Sequence, residues 1–340
     1  MSTPSATPRP RHTAAPRRLI AIVVLVPVLA ALALWAFAWP AARTAPRDLP
    51  LGVAGPAAAT AQVEQRLERN EGAFDLHRYA DETAAREAVE DRTVYGAVVV
   101  TPEGPKLLTA SAASPVVAQL LQQAVTQQAA AEGTQVKTVD VVPAPENDPR
   151  GAALNASVLP LALAGMAAGA AVTLLGLRGI RAASALVVAA ALIGVVAAAI
   201  AHSWLGVLTG DWWAEAGVLA LATLAVSAGV AGLAALVGTA GIGIVAGTVM
   251  LFGNPFSGAA SAPQMLPEPA GAIGQWLPPG AGTTLLRSVS FFDGAAATGP
   301  ALTLAWWAAL GLSAVLLGAA LKARRTTTEP ATDRELAPVG

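Results

Sequence analysis

Apolar and polar residues fall along this chain in long blocks, not in short periods. The first apolar block, LIAIVVLVPVLAALALWAFAW over residues 19–39, carries no charge. Five more lie beyond residue 150, near 154–177, 183–203, 216–237, 240–253 and 300–321. About 20 apolar residues cross a hydrocarbon layer of roughly 30 Å, so these blocks predict membrane-spanning helices, the fifth being short for one. The small residues of AWPAARTA would suit a cleaved signal peptide. The first block, however, exceeds the roughly 7–15 residues of a signal core and favours an uncleaved anchor.

Between the first and second blocks the periodicity shortens. LPLGVAG reads as a strand and PAAATAQVEQRLERN as a helix with Val63 and Leu67 on one face. FDLHRYA alternates like a strand. DETAAREAVEDRT is an amphipathic helix with Asp81 as its N-cap. VYGAVVV is a buried type of strand that turns through TPEGP into KLLTAS. A longer helix follows, capped by Ser114 with Pro115 in its first turn, and then the strand VKTVDVV. The order β-α-β-α-β-β-α-β predicts a compact α/β domain. PAPENDPRG links it to the second span.

Orientation follows from basic residues in short loops. An Arg-rich head (Arg9, Arg11, Arg17, Arg18), the turn with Arg178 and Arg181, and the tail with Lys322, Arg324 and Arg325 are assigned to the cytoplasm. The loops at 40–150, 204–215 and 253–299 then face outward. All eight tryptophans fall at or near that outer face, where an aromatic belt belongs. The predicted fold is a polytopic α-helical membrane protein with six transmembrane helices and an extracytoplasmic α/β domain between the first two. Its parts are a disordered cytoplasmic head (1–18), the anchor (19–39), the outer domain (40–150), a five-helix membrane domain (151–325) and a disordered tail (326–340). Both termini are cytoplasmic, in the plasma membrane.

Composition narrows the chemistry. Charged residues make up 13% of the chain, where soluble domains carry about 25%. Cysteine is absent, which excludes disulfides and thiolate chemistry. His12, His77 and His202 have no ligand spacing, so no metal or cofactor is assigned. Acids in the outer domain sit beside arginines, as Glu64 near Arg66 and Glu82 near Arg86, which reads as solvated helix surface. The sequence holds no G-x-S-x-G nucleophile and no phosphate loop, and it is read as a non-enzyme that neither binds nor hydrolyses ATP by that route. Residues 155–177 and 216–253 lack ionisable side chains, which weighs against an ion-driven transporter. Small residues at helical spacing (Gly165 and Gly169, Ala228 and Gly232, Gly243 and Gly247) permit close helix packing, within or between subunits.

One stretch fits none of these classes. NPFSGAASAPQMLPEPAGAIGQWLPPG, residues 254–280, has six prolines, four glycines and one charge, Glu268. It is too broken for a span and too apolar for a surface loop. Irregular backbone at membrane depth is tolerated only where protein buries it or water reaches it, which points to a gate lining.

That stretch within 253–294, DRTVYGAVVVTPEG at 91–104, and the order of anchor, α/β domain and five further spans resemble the permease subunits of type-2 ABC transporters. Within them they resemble the YhgE/Pip (phage infection protein-like) membrane proteins. The resemblance implies a pair of short helices that dip into the outer leaflet before the last span and help close the outer end of the path. Asn254 and Pro255 would open the segment. Pro263, Met265, Leu266 and Pro267 would form its first arm and turn; Trp276, Leu277, Pro278 and Pro279 would mark its return, with a short outer helix over 283–292. The resemblance also implies a homo- or heterodimer, a separate ABC ATPase subunit, and export of a hydrophobic or amphipathic substrate. The family's coupling helix has no room in the loop 176–183; Arg178 and Arg181 could touch an ATPase, but as positive-inside anchors they need no partner, and the anchor reading is favoured. The alternative is a non-transporting membrane-anchored binding or scaffold protein of the cell envelope. An ATPase that co-purifies separates the two.

Overall fold

The computed structural model describes residues 14–69, 71–131 and 133–327. The predicted tail lies outside these residues except for 326–327, and so does the head up to residue 13. The first helix, α1 (Ala14–Ala42), begins five residues earlier than predicted, inside the expected head. Nothing in PRRLIAIVV breaks a helix, because a proline is tolerated in a first turn.

The alternating stretch forms one five-stranded sheet, β1 (Leu49–Ala54), β2 (Phe74–Tyr79), β3 (Gly96–Thr101), β4 (Gly104–Thr109) and β5 (Lys137–Asp140), in the spatial order β2-β1-β3-β4-β5. β1 is parallel to β2 and β3, β4 returns antiparallel to β3, and β5 is parallel to β4. The parallel pairs need crossovers, supplied by α2 (Ala57–Leu67), α3 (Glu82–Glu90) and α4 (Pro115–Ala131). β1 and β3 are buried along most of their length while the edge strand β2 is not, so only the central strands read as unbroken apolar runs. One face packs Leu49, Leu51, Val98 and Leu107 under Val117 and Leu121 of α4; the other packs Ala97, Val99 and Leu108 under Ala85 and Val89 of α3. Asp81 caps α3 by accepting the Ala84 N–H at 2.9 Å, and Ser114 caps α4 through the Val117 N–H at 3.2 Å.

Glu64 corrects the sequence reading. It is 5% exposed and pairs with Arg78 of the neighbouring strand through both carboxylate oxygens. Strand β2 carries Arg78 under α2, a placement no i, i+2 spacing reveals. Glu82, by contrast, does meet Arg86, and also Lys106 of β4.

Among the described residues, five helices are long and apolar enough to cross a membrane: Ile22–Ala42 of α1, α5 (Ala152–Leu174), α6 (Gly179–Ala198) with its π-helical extension to Trp204, α7 (Trp212–Val237) and Thr298–Arg324 of α11 (Thr298–Thr327). The predicted fifth span is helical too, as α8 (Ala240–Thr248) with a π turn over Val249–Gly253. At 14 residues and ~1.5 Å per residue it reaches about 21 Å, short of a full crossing. α7 is the hub, packed against α5, α6, α8, α10 (Pro278–Phe291) and α11.

Two of the three small-residue pairs lie in helix contacts. A Cβ on Gly169 would come within 2.5 Å of Ser227 O, and one on Gly232 within 2.4 Å of Gly311 O. Gly243 and Gly247 face open space, with nothing within 4 Å. Their spacing serves no helix contact within the chain.

Candidate functional site: the 254–291 hairpin and its junction with the sheet

The segment begins where the π turn ends. Asn254 donates its N–H to Val249 O at 2.9 Å, and its own carbonyl accepts the Ser257 hydroxyl at 2.7 Å. Asn254 and Pro255 are half-buried. Phe256 is buried, its ring edge-on to Trp39 of α1 at 6.2 Å and 5.8 Å from Phe252. The chain then rises to a 3₁₀ turn at Pro263–Met265. Met265 O accepts the Ala45 N–H at 3.0 Å, and Gln264 O accepts the Arg47 N–H at 2.9 Å. The residues leaving α1 are thereby stitched to the turn. Met265, 2% exposed, and Ala262 enter the core beneath the sheet, while Leu266 joins Phe256 and Trp39. Pro267 is buried and Glu268 exposed; the Glu268–Pro269 bond is cis.

The return is α9 (Ala270–Gln275), and its glycines decide how closely it lies against the outgoing arm. A Cβ on Gly271 would sit 2.2 Å from Pro263 O, and one on Gly274 1.7 Å from Phe256 O. Gln275 clasps both sides: its Nε2 donates to Ser257 O at 3.0 Å and its Oε1 accepts the Thr284 hydroxyl at 2.7 Å. Trp276 is exposed, and its carbonyl accepts the Trp307 indole N–H at 2.8 Å. Leu277 precedes α10, whose first turn holds the buried Pro278 and Pro279, where a missing N–H costs nothing. This helix starts five residues before the predicted 283.

α10 climbs along α7. Gly282 lies against Ala222, and Val289 O and Ser290 lie against Gly210. The hairpin is thus level with the N-terminal half of the 26-residue apolar helix α7. Most of its backbone is covered by protein.

Three polar features at this level were not assigned a role from the sequence. Glu215 is fully buried; its Oε1 accepts the Gly210 N–H at 2.9 Å and its Oε2 lies 2.8 Å from His202 Nδ1. The π-helical stretch Ala199–Trp204 turns His202 toward it. The N-cap Asp211 four residues earlier was the available signal, since it starts α7 before 216 and puts Glu215 in the first turn. Asp148 is also buried and accepts the N–H groups of Ala152, Ala153 and Leu154 at 2.7, 3.0 and 3.1 Å, fixing the start of α5.

The third is the junction of sheet and hairpin. Arg92, with φ 59° just past α3, reaches α10 and donates through Nη1 to Thr284 O and Ser288 Oγ, its guanidinium 5.1 Å from the Phe292 ring. Tyr95 OH donates to Gln264 Oε1 at 2.9 Å. Arg287 of α10, 5% exposed, donates through Nη2 to Ala259 O at 2.6 Å. Burial lowers the Arg92 guanidinium and brings Arg287 down to about 10, and it raises the Tyr95 phenol. A guanidinium does not lose its proton in a protein, so both arginines are cationic at neutral pH.

Arg178 and Arg181 stand at the far ends of α5 and α6, both exposed. Only residues 175–178 join the two helices. The candidate residues therefore divide into one continuous hairpin and a separate pair at the opposite end of the bundle.

No curated protein and no solved structure matches the chain. Residues 17–177, which hold most of α1, the sheet and α5, match the model of the ABC-2 family transporter protein, and this match supports a membrane subunit of the ABC-2 permease type.

Proposed function

We propose that this chain is the permease subunit of a type-2 ABC exporter, of the YhgE/Pip-like subgroup, in which the 254–291 hairpin closes the outer end of the path. The observation that carries the reading is a proline-rich, apolar segment packed against α7 and α1 and hydrogen-bonded to the sheet. Buried irregular backbone is what a gate at membrane depth requires. In this reading the sheet is an extracytoplasmic domain between the first two spans, and α8 with its π turn completes a sixth passage by handing over to the hairpin. Both termini are then cytoplasmic. Two copies, or one copy and a related subunit, enclose a path for a hydrophobic or amphipathic substrate, and α1, with its exposed apolar surface, is available to lipid or to the second subunit.

The ATPase is a separate protein that meets the α5–α6 turn, with Arg178 and Arg181 in its contact. The family match supports a permease and does not favour the scaffold alternative. The test is affinity purification of the full chain from its native membrane after mild cross-linking. Recovery of an ABC ATPase, lost when Arg178 and Arg181 are both changed to Glu, supports coupling; recovery of envelope proteins alone refutes it. The cysteine-free sequence also permits single-cysteine labelling. Cysteines at the exposed Glu268 and Ala272 are expected to label from outside, with Leu266→Cys protected. Uniform labelling would make the segment an ordinary surface loop.

A further inference from the structure

Between the sheet and α10 lies a cavity of about 210 Å³, walled by Arg92, Tyr95, Gln264, Gln275, Thr284 and Arg287. Its charges are unbalanced. Among the described residues no carboxylate forms an ion pair with Arg92 or Arg287; at this cavity their titratable neighbours are Tyr95 and each other, while the buried Asp148, which shares a smaller pocket with Arg287, is engaged by three backbone N–H groups. A guanidinium has five N–H donors, and the hydrogen bond made by Arg287 uses Nη2 alone. Three carbonyl-type acceptors at its wall each hold a donor already. Gln264 Oε1 takes the Tyr95 hydroxyl, Gln275 Oε1 takes the Thr284 hydroxyl, and Thr284 O takes Arg92. What remains for a guest is donors: the free edge of Arg287 and the amide nitrogen of Gln264.

A buried cation without a counter-ion is strongly unfavourable. Arg287 is such a cation and the half-buried Arg92 faces the same cavity, an arrangement retained readily when a ligand supplies the negative charge. Guanidinium forks match the oxygens of phosphate, and a tetrahedral oxyanion offers acceptors to donors converging from two sides.

We propose that this cavity binds a phosphate-type oxyanion, either a phosphate ester such as a lipid headgroup or free phosphate, held between Arg92 and Arg287. Bound there, the anion joins β3 and the loop before it to α10, so its occupancy sets how firmly the hairpin is held to the sheet. The inference stands apart from ATP-coupled transport, because binding is read without an ATPase or a transported substrate.

The experiment uses the purified full chain in detergent. Its thermal midpoint and calorimetric binding are measured with inorganic phosphate against chloride at matched ionic strength. A second arm exposes the chain to phosphatidylglycerol or phosphatidylcholine and reads retained lipid by native mass spectrometry. The variants are Arg287→Gln and Gln264→Glu, the latter placing a carboxylate where the anion would sit, with exposed Arg43→Gln as the control. The expected result is phosphate-specific stabilisation, or selective retention of phosphatidylglycerol, weakened at least tenfold in both cavity variants and unchanged in Arg43→Gln. Gln264→Glu is also expected to raise the midpoint without added anion. It keeps the test open if Arg287→Gln fails to fold. Phosphate alone binding identifies a free anion, and retained phosphatidylglycerol identifies a headgroup; either supports the site. No preference over chloride together with no lipid selectivity, or equal weakening in Arg43→Gln, overturns it.

Discussion

Replacing Gly274 by alanine tests whether the hairpin is held closed by backbone contact. The added Cβ would lie 1.7 Å from Phe256 O, whereas ordinary carbon contacts begin near ~3.5 Å, so the two arms must part by about 1.8 Å. The obstacle is a carbonyl in the main chain, and no rotamer change removes it. Parting breaks the Gln275 clasp to Ser257, at 3.0 Å, and strains its bond from Thr284. Two hydrogen bonds at ~1 kcal/mol each, with overpacking of ~1–3 kcal/mol, outweigh the ~1 kcal/mol alanine gains over glycine in a helix. The net cost is about 2–4 kcal/mol. Because ~1.4 kcal/mol is a factor of ten, even the lower figure raises the population of the open hairpin about 30-fold. The assay is maleimide labelling of Leu266→Cys, a position only 8% exposed, with and without Gly274→Ala. Ala272→Ser, on an exposed position of the same turn, is the control. Labelling that stays as slow in the double variant as in Leu266→Cys alone would refute the contact argument.

Other substitutions probe the frame around the hairpin. Glu215→Ala leaves the Gly210 N–H and His202 without their buried partner and is expected to cost ~3–5 kcal/mol in denaturant unfolding, with Glu215→Gln costing less. Gly311→Ala places a Cβ 2.3 Å from the Ala228 carbonyl carbon and should lower stability by ~1–3 kcal/mol, whereas Gly243→Ala, facing open space, should be neutral or stabilising. A hydrogen bond from Lys106 holds the Glu82 carboxyl below its ordinary 4.5. A depressed carboxyl stabilises above its unfolded value and loses that contribution as pH falls through its folded one. Lys106→Met should therefore destabilise the sheet slightly at about pH 6 and not at about pH 3, since an exposed pair is screened. Circular dichroism melts at the two pH values check the sign.

The sequence alone determined where the helices and strands lie, because each period is a local consequence of which face must be buried. Blocks such as 216–237 were legible as spans, and so was the strand and helix order from LPLGVAG to VKTVDVV. Capping side chains fix starts: Asp81 and Ser114 follow from spacing, and Asp211 starts α7 four residues ahead of its apolar block. Proline and glycine likewise marked 254–280 as too broken for a span, and it holds only short pieces: a 3₁₀ turn, α9 and the first turn of α10. Everything that depends on two distant segments meeting was decided by the tertiary structure. Glu64 looked solvated beside Arg66 until β2 brought Arg78 beneath it. Gly243 and Gly247 look the same in sequence as Gly165 and Gly169, yet only the latter pair faces a neighbouring helix. Arg92 and Arg287 are 195 positions apart, and no spacing rule couples them. They share one cavity because α10 starts at the level of mid-α7 and climbs beside the sheet. Periodicity reports the face a residue turns to its own element's surroundings, and only packing decides what stands opposite.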